Sequence, residues 1–167
     1  MKLFAIYIGG EHPGANIEVH DIRFIAAPTI EATHDALLAQ WWGKAGSLHI
    51  DCWSGIDRAD GYDVSLRPEP FEGPEKLYYV NLGGYDGVSF AEQHHNVFVV
   101  APGLAAAKAR AIKRAPAWTD THRDDIYEAE QAFSLDDAAS RHRLHIHLTP
   151  ALLTGDPAFT CRYTPIR

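Results

Sequence analysis

The chain has 167 residues, 46% hydrophobic and 22% charged, with 15 basic against 22 acidic side chains and a formal charge of −7. These proportions describe an ordinary globular chain, long enough for one substantial core, and exclude disordered, collagenous and membrane classes. The negative balance argues against nucleic acid or anionic lipid as a partner, and no stretch nears the roughly 20 apolar residues of a membrane span.

The opening run Leu3-Phe4-Ala5-Ile6-Tyr7-Ile8 is too short for a secretory segment and meets Gly9-Gly10 at once, so a cytoplasmic location is expected. Residues 2–8 read as a strand ending in a tight Gly turn, and 17–27 as a second strand. A helix follows over 29–42: Thr29 can cap it, Ile30, Thr33, Leu37 and Trp41 form its apolar stripe, and Gly43 can end it. Strands are predicted at 47–54 and 62–66, and the Pro- and Gly-bearing stretch 68–75 reads as a linker. Strands 76–82 and 92–101 then precede a helix over 103–115, striped by Leu104, Ala107, Ala111 and Ala115 and stopped by Pro116. Its Lys108, Arg110, Lys113 and Arg114 read as a solvated face near the negative helix end. The last strands fall at 121–128 and 143–148, where His145 and His147 read as a solvated edge. Cys52 and Cys161 lie far apart in no metal-type spacing, and are expected as reduced thiols.

Shifting the sequence by 74 places matches Lys2-Leu3, Gly9-Gly10, Glu18, His20, Phe24 and Ala27-Pro28 with their counterparts. Nine of the first 28 positions are identical, where unrelated sequence gives about one or two. With small gaps, His49-Ile50-Asp51 aligns with His122-Arg123-Asp124, and Asp63–Pro68 with His145–Pro150. The expected fold is α+β: a duplicated strand-strand-helix-strand-strand unit, pseudo-twofold, with a mixed sheet and helices packed on one face. Repeats at 1–70 and 76–150 share a core, because a unit of this size is marginal alone. Residues 151–167 are left as a C-terminal tail. A crossover helix makes the second and third strands parallel if they lie in one sheet.

Residues two apart on a strand share a face. Glu18, His20, Ile22 and Phe24 form one row, and His49, Asp51 and Trp53 another; Glu92, His94 and Phe98, and His122 and Asp124, repeat them. Parallel second and third strands bring each acid–His set to one end of the sheet, beside Gly9-Gly10 or Gly83-Gly84. Imidazole with carboxylate suits a divalent metal, a small polar ligand or general acid–base work. It equally suits a purely structural pairing of polar groups where the core meets the loops.

The chain resembles a bacterial family, domain-of-unknown-function family 1543, whose members carry one or two copies of a short unit. The resemblance rests on Lys2-Leu3-Phe4 through Gly9-Gly10, Pro13–Asp21, Leu48–Asp51 and Asp60-Gly61-Tyr62. In the second half it rests on Lys76–Tyr85, Phe90–His94 and His122–Asp125. It implies a cytoplasmic bacterial protein and supplies no activity. The second copy lacks the Pro-Gly-Ala-Asn loop and the Asp-Gly-Tyr turn.

Three functional readings follow. The first is a small-ligand or divalent-metal binder using Gly9, Gly10, Glu18, His20, His49 and Asp51, together with Gly83, Gly84, Glu92, His94, His122 and Asp124. The second is an interaction module, with sheet edges or the tail around Phe159 and Tyr163 forming a homodimer or partner complex. The third is a hydrolase-like enzyme in which His20 or His94 is a general base oriented by Glu18 or Glu92, with Asp51 or Asp124 as a second polar group. No sequence motif names a reaction.

Overall fold

The computed structural model describes residues 1–121, 131–151, 155 and 157–167, so His122 and Asp124 lie outside the described residues. The first half runs β1 (Lys2–Gly10), β2 (Val19–Ala27), a 3-10 turn (Glu31–Thr33), α1 (His34–Gln40), β3 (His49–Gly55), β4 (Arg58–Ala59) and β5 (Tyr62–Arg67). The second runs β6 (Lys76–Tyr85), β7 (Gln93–Ala101), α2 (Leu104–Ile112), β8 (Asp120–Thr121), β9 (Gln131–Ser134), α3 (Asp136–Ser140), β10 (His145–Pro150) and β11 (Thr160–Pro165). The single helix expected over 29–42 is a 3-10 turn, on whose Ala32 N–H the Thr29 hydroxyl accepts at 3.3 Å, followed by two turns of α-helix. Its extended Trp41 ends the helix before the expected Gly43.

The first sheet has the order β11-β3-β1-β2, and a three-stranded sheet has the order β10-β5-β4. In the third, β7 flanks one side of β6 while β8 and β9 flank the other. Strands β2 and β3 are both antiparallel to β1 and hence parallel to each other, with β1 between them and α1 crossing over. The second hairpin keeps the register of the first with each partner moved by 74, from Lys2↔Ala27 and Lys76↔Ala101 to Gly10↔Val19 and Gly84↔Gln93. In the β5–β10 ladder Val64 faces Leu148 and Leu66 faces Ile146, so exchanging aligned positions maps the ladder onto itself.

Alternation on the two central strands builds three cores. Leu3 and Ala5 of β1 and Leu77 and Tyr79 of β6 point inward into one shared cluster with Phe98, Val100, Leu135, Ile146 and Leu148. Phe4, Ile6 and Ile8 face outward, under Leu37 of α1. Tyr78, Val80 and Leu82 likewise lie under Ala107 and Ala111 of α2. Each helix thus covers one face of its own sheet and leaves the other face to the shared core. Phe24 joins the sheets, its ring 5.2 Å from Tyr79 and 5.6 Å from Phe133.

Three expectations are corrected. The tail is not an appendage: β11 pairs with β3, Ile166 is 1% exposed in the core under α1, and its N–H donates to the Leu48 carbonyl. That pairing sets Cys161 opposite Cys52, and the two are joined as a disulfide rather than held as reduced thiols. The basic face of α2 is partly spent on structure. Arg110 donates to the Val100 carbonyl, and Arg114 donates to the Phe98 carbonyl and to the Asp60 carboxylate.

Asp60 ties the halves together. Asp60 and Gly61 both have positive φ (51° and 79°) and make the two-residue turn between β4 and β5. The Asp60 carboxylate accepts the Val100 N–H at 2.8 Å and the Arg114 guanidinium, both from the other half. Asp60→Ala is expected to cost about 1–3 kcal/mol in urea titrations, and Asp60→Asn less, because Asn tolerates positive φ and keeps one acceptor. Cys161→Ser is expected to cost about 2–4 kcal/mol under non-reducing conditions, and thiol alkylation should require prior reduction.

Candidate functional site

The inward face of β1 changes character along its length, from Leu3 and Ala5 to Tyr7 and then Gly9. Gly9 pairs with His20 on one side and His49 on the other. A Cβ there would lie 2.7 Å from His49 Nε2, 2.9 Å from His20 Cδ2 and 3.0 Å from Asp51 Oδ2. The absence of a side chain lets the two imidazoles meet over the strand. The Gly pairs expected as turns are therefore strand residues with separate duties. Gly10 makes room for the Trp41 ring and Gly84 for the Trp118 ring, so neither belongs to the acid–His cluster.

All four predicted residues of the first half come together. His20 Nε2 is 3.2 Å from Glu18 Oε1 and 3.5 Å from Asp51 Oδ2. His49 Nε2 is 3.5 Å from Glu18 Oε2 and 3.4 Å from Asp51 Oδ1. Glu18, His20 and His49 each offer one donor atom, all within 4.8 Å of one another. A bulge in β3 assists: Tyr7 faces Cys52 and Ile8 faces Ile50, which leaves Asp51 unpaired. Asp51 thereby stays on the His49 face, while Trp53 turns to the outer core beside Phe4, against the expectation of one His49–Asp51–Trp53 row.

His49 is 3% exposed, and its Nδ1 lies 3.2 Å from the Ser47 carbonyl. A carbonyl only accepts, so Nδ1 carries the proton. Nε2 is buried without a hydrogen-bond partner and is aimed into the cluster, as is Asp51 Oδ2. Tyr163 of β11 lies against the His49 ring at 4.5 Å, and Tyr7 stacks on His20 at 5.5 Å and 11°. Burial first, then the Asp51 and Asp21 carboxylates, raise the Tyr7 phenol above its ordinary range, so it is neutral at physiological pH. Ser47, Tyr163 and Tyr7 were not among the predicted site residues. Tyr7 could have been found from its i−2 spacing to Gly9, whereas no local signal ties Tyr163 to His49.

The second half is built differently. Glu92 and His94 approach to 3.9 Å, and Gly83 pairs with His94 as Gly9 does with His20. Where the first half has Tyr7, the second has Asn81. Its Nδ2 donates to Asn96 Oδ1 at 2.7 Å, which leaves Oδ1 to accept from His94 Nδ1 at 3.2 Å.

Residues 15–66 match a family model described as Domain of Unknown Function (DUF1543), a span holding Glu18, His20, His49 and Asp51. The fold is also that of the crystal structure of a protein Il1583 from Idiomarina loihiensis, with a TM-score of 0.68 and 28% identity. The similarity covers 99% of this chain and 98% of the other. None of the curated proteins matches the chain. Among the described residues no helix is long and apolar enough to cross a membrane.

Gly9→Ala is expected to lower stability by about 1–3 kcal/mol through overpacking. Gly14→Ala, whose Cβ would meet nothing closer than 3.5 Å, should stay within about 0.5 kcal/mol. Paired thermal melts check the contrast.

Proposed function

We propose that the chain is a tandem duplication whose first half binds a divalent transition-metal ion through Glu18, His20 and His49, with Asp51 completing the set. The observation that carries this reading is the buried His49 Nε2, which has no hydrogen-bond partner while Nδ1 is engaged by Ser47, and which faces two carboxylate oxygens. Two carboxylates turned on one buried nitrogen call for a positive charge at that point, which a metal ion supplies. A backbone carbonyl on the other ring nitrogen is the usual support for a metal-bound histidine. Each imidazole nitrogen lies 3.2–3.5 Å from an oxygen of both carboxylates, so one ion is within reach of all four side chains.

Two imidazoles and carboxylates suit zinc, iron, cobalt, nickel or manganese better than calcium. Glu18 is 46% exposed and His20 37%, so a bound ion would keep positions open to water or a ligand. This favours a working site over a closed structural one. A bound ion with an open position also supports hydrolytic chemistry, but no group in the cluster is assigned here as its general base. Phe159 and Tyr163, the residues first weighed as a docking surface, lie beside this site instead: Tyr163 against His49 and Phe159 in the adjoining groove. Their position supports the binding reading over the interaction module.

The test uses untagged protein. Zinc, cobalt, nickel and manganese are each titrated while the melting temperature is followed, and metal content is measured after purification. At least one ion should stabilise the wild type, by about 2.7 kcal/mol at 100 times its Kd. Glu18→Gln and His20→Ala, both at exposed positions, should weaken that ion at least about tenfold, while Glu92→Gln should leave it unchanged. An equal shift in wild type, Glu18→Gln and His20→Ala, or no shift with any ion, overturns the proposal.

A further inference from the structure

His20 of the proposed metal site also lines a groove between the two sheets. His20 and Tyr7 form one wall, and Tyr79, Asn81, His94 and Asn96 the other, enclosing about 470 Å³. His20 and His94, related by the 74-residue offset, thus line one cavity from opposite sides. A second pocket of about 320 Å³, lined by Ala5, Phe98, Phe159 and the Cys52–Cys161 disulfide, shares Tyr7, Ile22 and Asn96 with the first. The two are therefore one continuous cleft with a polar end and an apolar end. Each part lies in the size range of small-molecule sites.

Asn96 stands at the junction with a fixed orientation. Its Oδ1 accepts from the Tyr79 hydroxyl at 2.6 Å and from Asn81 Nδ2 at 2.7 Å, so its own amide donors are turned the other way. An amide donor and an open metal position are both suited to an oxygen acceptor, best a charged one. The apolar end, walled by Phe98, Phe159 and the Cys52–Cys161 disulfide, is suited to a ring or a short hydrocarbon.

Resting on the metal reading above, we infer that the cleft binds a small aryl carboxylate. Its carboxylate takes the open metal position beside His20 and the Asn96 amide, and its ring fills the slot between Phe98, Phe159 and the Cys52–Cys161 disulfide. This occupant engages a cation, an oriented donor and an apolar slot at once. The groups of the second half then serve the ligand rather than a second ion, which accounts for Asn81 standing where the first half has Tyr7.

The probe is 2-naphthoate, with acetate as the ringless control. Zinc binding is first established by thermal shift, and calorimetry then follows each carboxylate with zinc-loaded and metal-free protein. The zinc-loaded form should bind naphthoate at least about tenfold more tightly than acetate, since burying a ring contributes well over the ~1.4 kcal/mol that a factor of ten requires. It should also bind naphthoate more tightly than the metal-free form. Phe159→Ala should weaken naphthoate several-fold without changing zinc affinity, and Asn96→Asp should weaken it by putting a second carboxylate against the head. If zinc binds but naphthoate is held no better than acetate, the inference is overturned and the metal site stands. Equal naphthoate affinity with and without zinc overturns it as well. If zinc does not bind, whichever of cobalt, nickel or manganese stabilises the protein takes its place, and absence of binding by all four, read before any carboxylate is added, removes the metal reading and this inference with it.

Discussion

The structure depends on two strands that are buried on both faces. Strands β1 and β6 each send alternate side chains into different cores, one shared between the sheets and one closed by a helix. A one-residue slip in either would exchange the two sets, putting Phe4 and Ile6 where Leu3 and Ala5 fit, so register is strongly specified. That constraint also fixes where chemistry can occur. The inward row of β1 runs out of apolar residues at Tyr7, and Gly9 is the first inward position at which neighbouring strands can bring polar groups over the backbone. The acid–His cluster lies where the shared core ends, half desolvated and still reachable from solvent.

Desolvation gives the cluster its character. The same four side chains on an exposed loop would be hydrated and mutually indifferent, because charges in water interact weakly. Here His49 is sealed by Tyr163 on one side and held by Ser47 on the other, so its remaining nitrogen has only carboxylate oxygens to face. In the second half the same position relative to Gly83 is occupied by His94, and the neighbour from β6 is a hydrogen-bonding amide instead of a stacked phenol. One backbone plan supports two chemistries, because a single inward residue, Tyr7 or Asn81, decides whether the imidazole is stacked or hydrogen-bonded.

Much of this was legible in the residues. The offset of 74 reappears as ladder register because side-chain alternation ties sequence spacing to face. The meeting of Glu18 and His20 with His49 and Asp51 followed from two parallel strands, and the intervening β1 only required a glycine between them. What could not be read was whatever depends on a distant partner. The bulge at Asp51 is visible only against Tyr7 and Ile8 on β1, so Trp53 was assigned to the wrong face. Strand β11 has no partner of its own in sequence, and the disulfide and the Tyr163 lid on His49 both follow from its docking on β3. Arg110 and Arg114 looked like surface charge because helical spacing does not reveal the open edge of β7 beside them.

The ladder between β5 and β10 carries a further implication. Because it is its own image when the halves trade places, two separate chains bearing such a strand could meet through it in the same way, as partners in an isologous dimer do. The linker at 68–75 turns that bimolecular encounter into an internal one, with an effective concentration that dilution cannot lower. Assembly then no longer demands that the two participants be alike. Each is free to keep the pairing strand and abandon the other's chemistry, and the contrast between the two histidines facing one another across the groove is the kind of divergence such freedom permits.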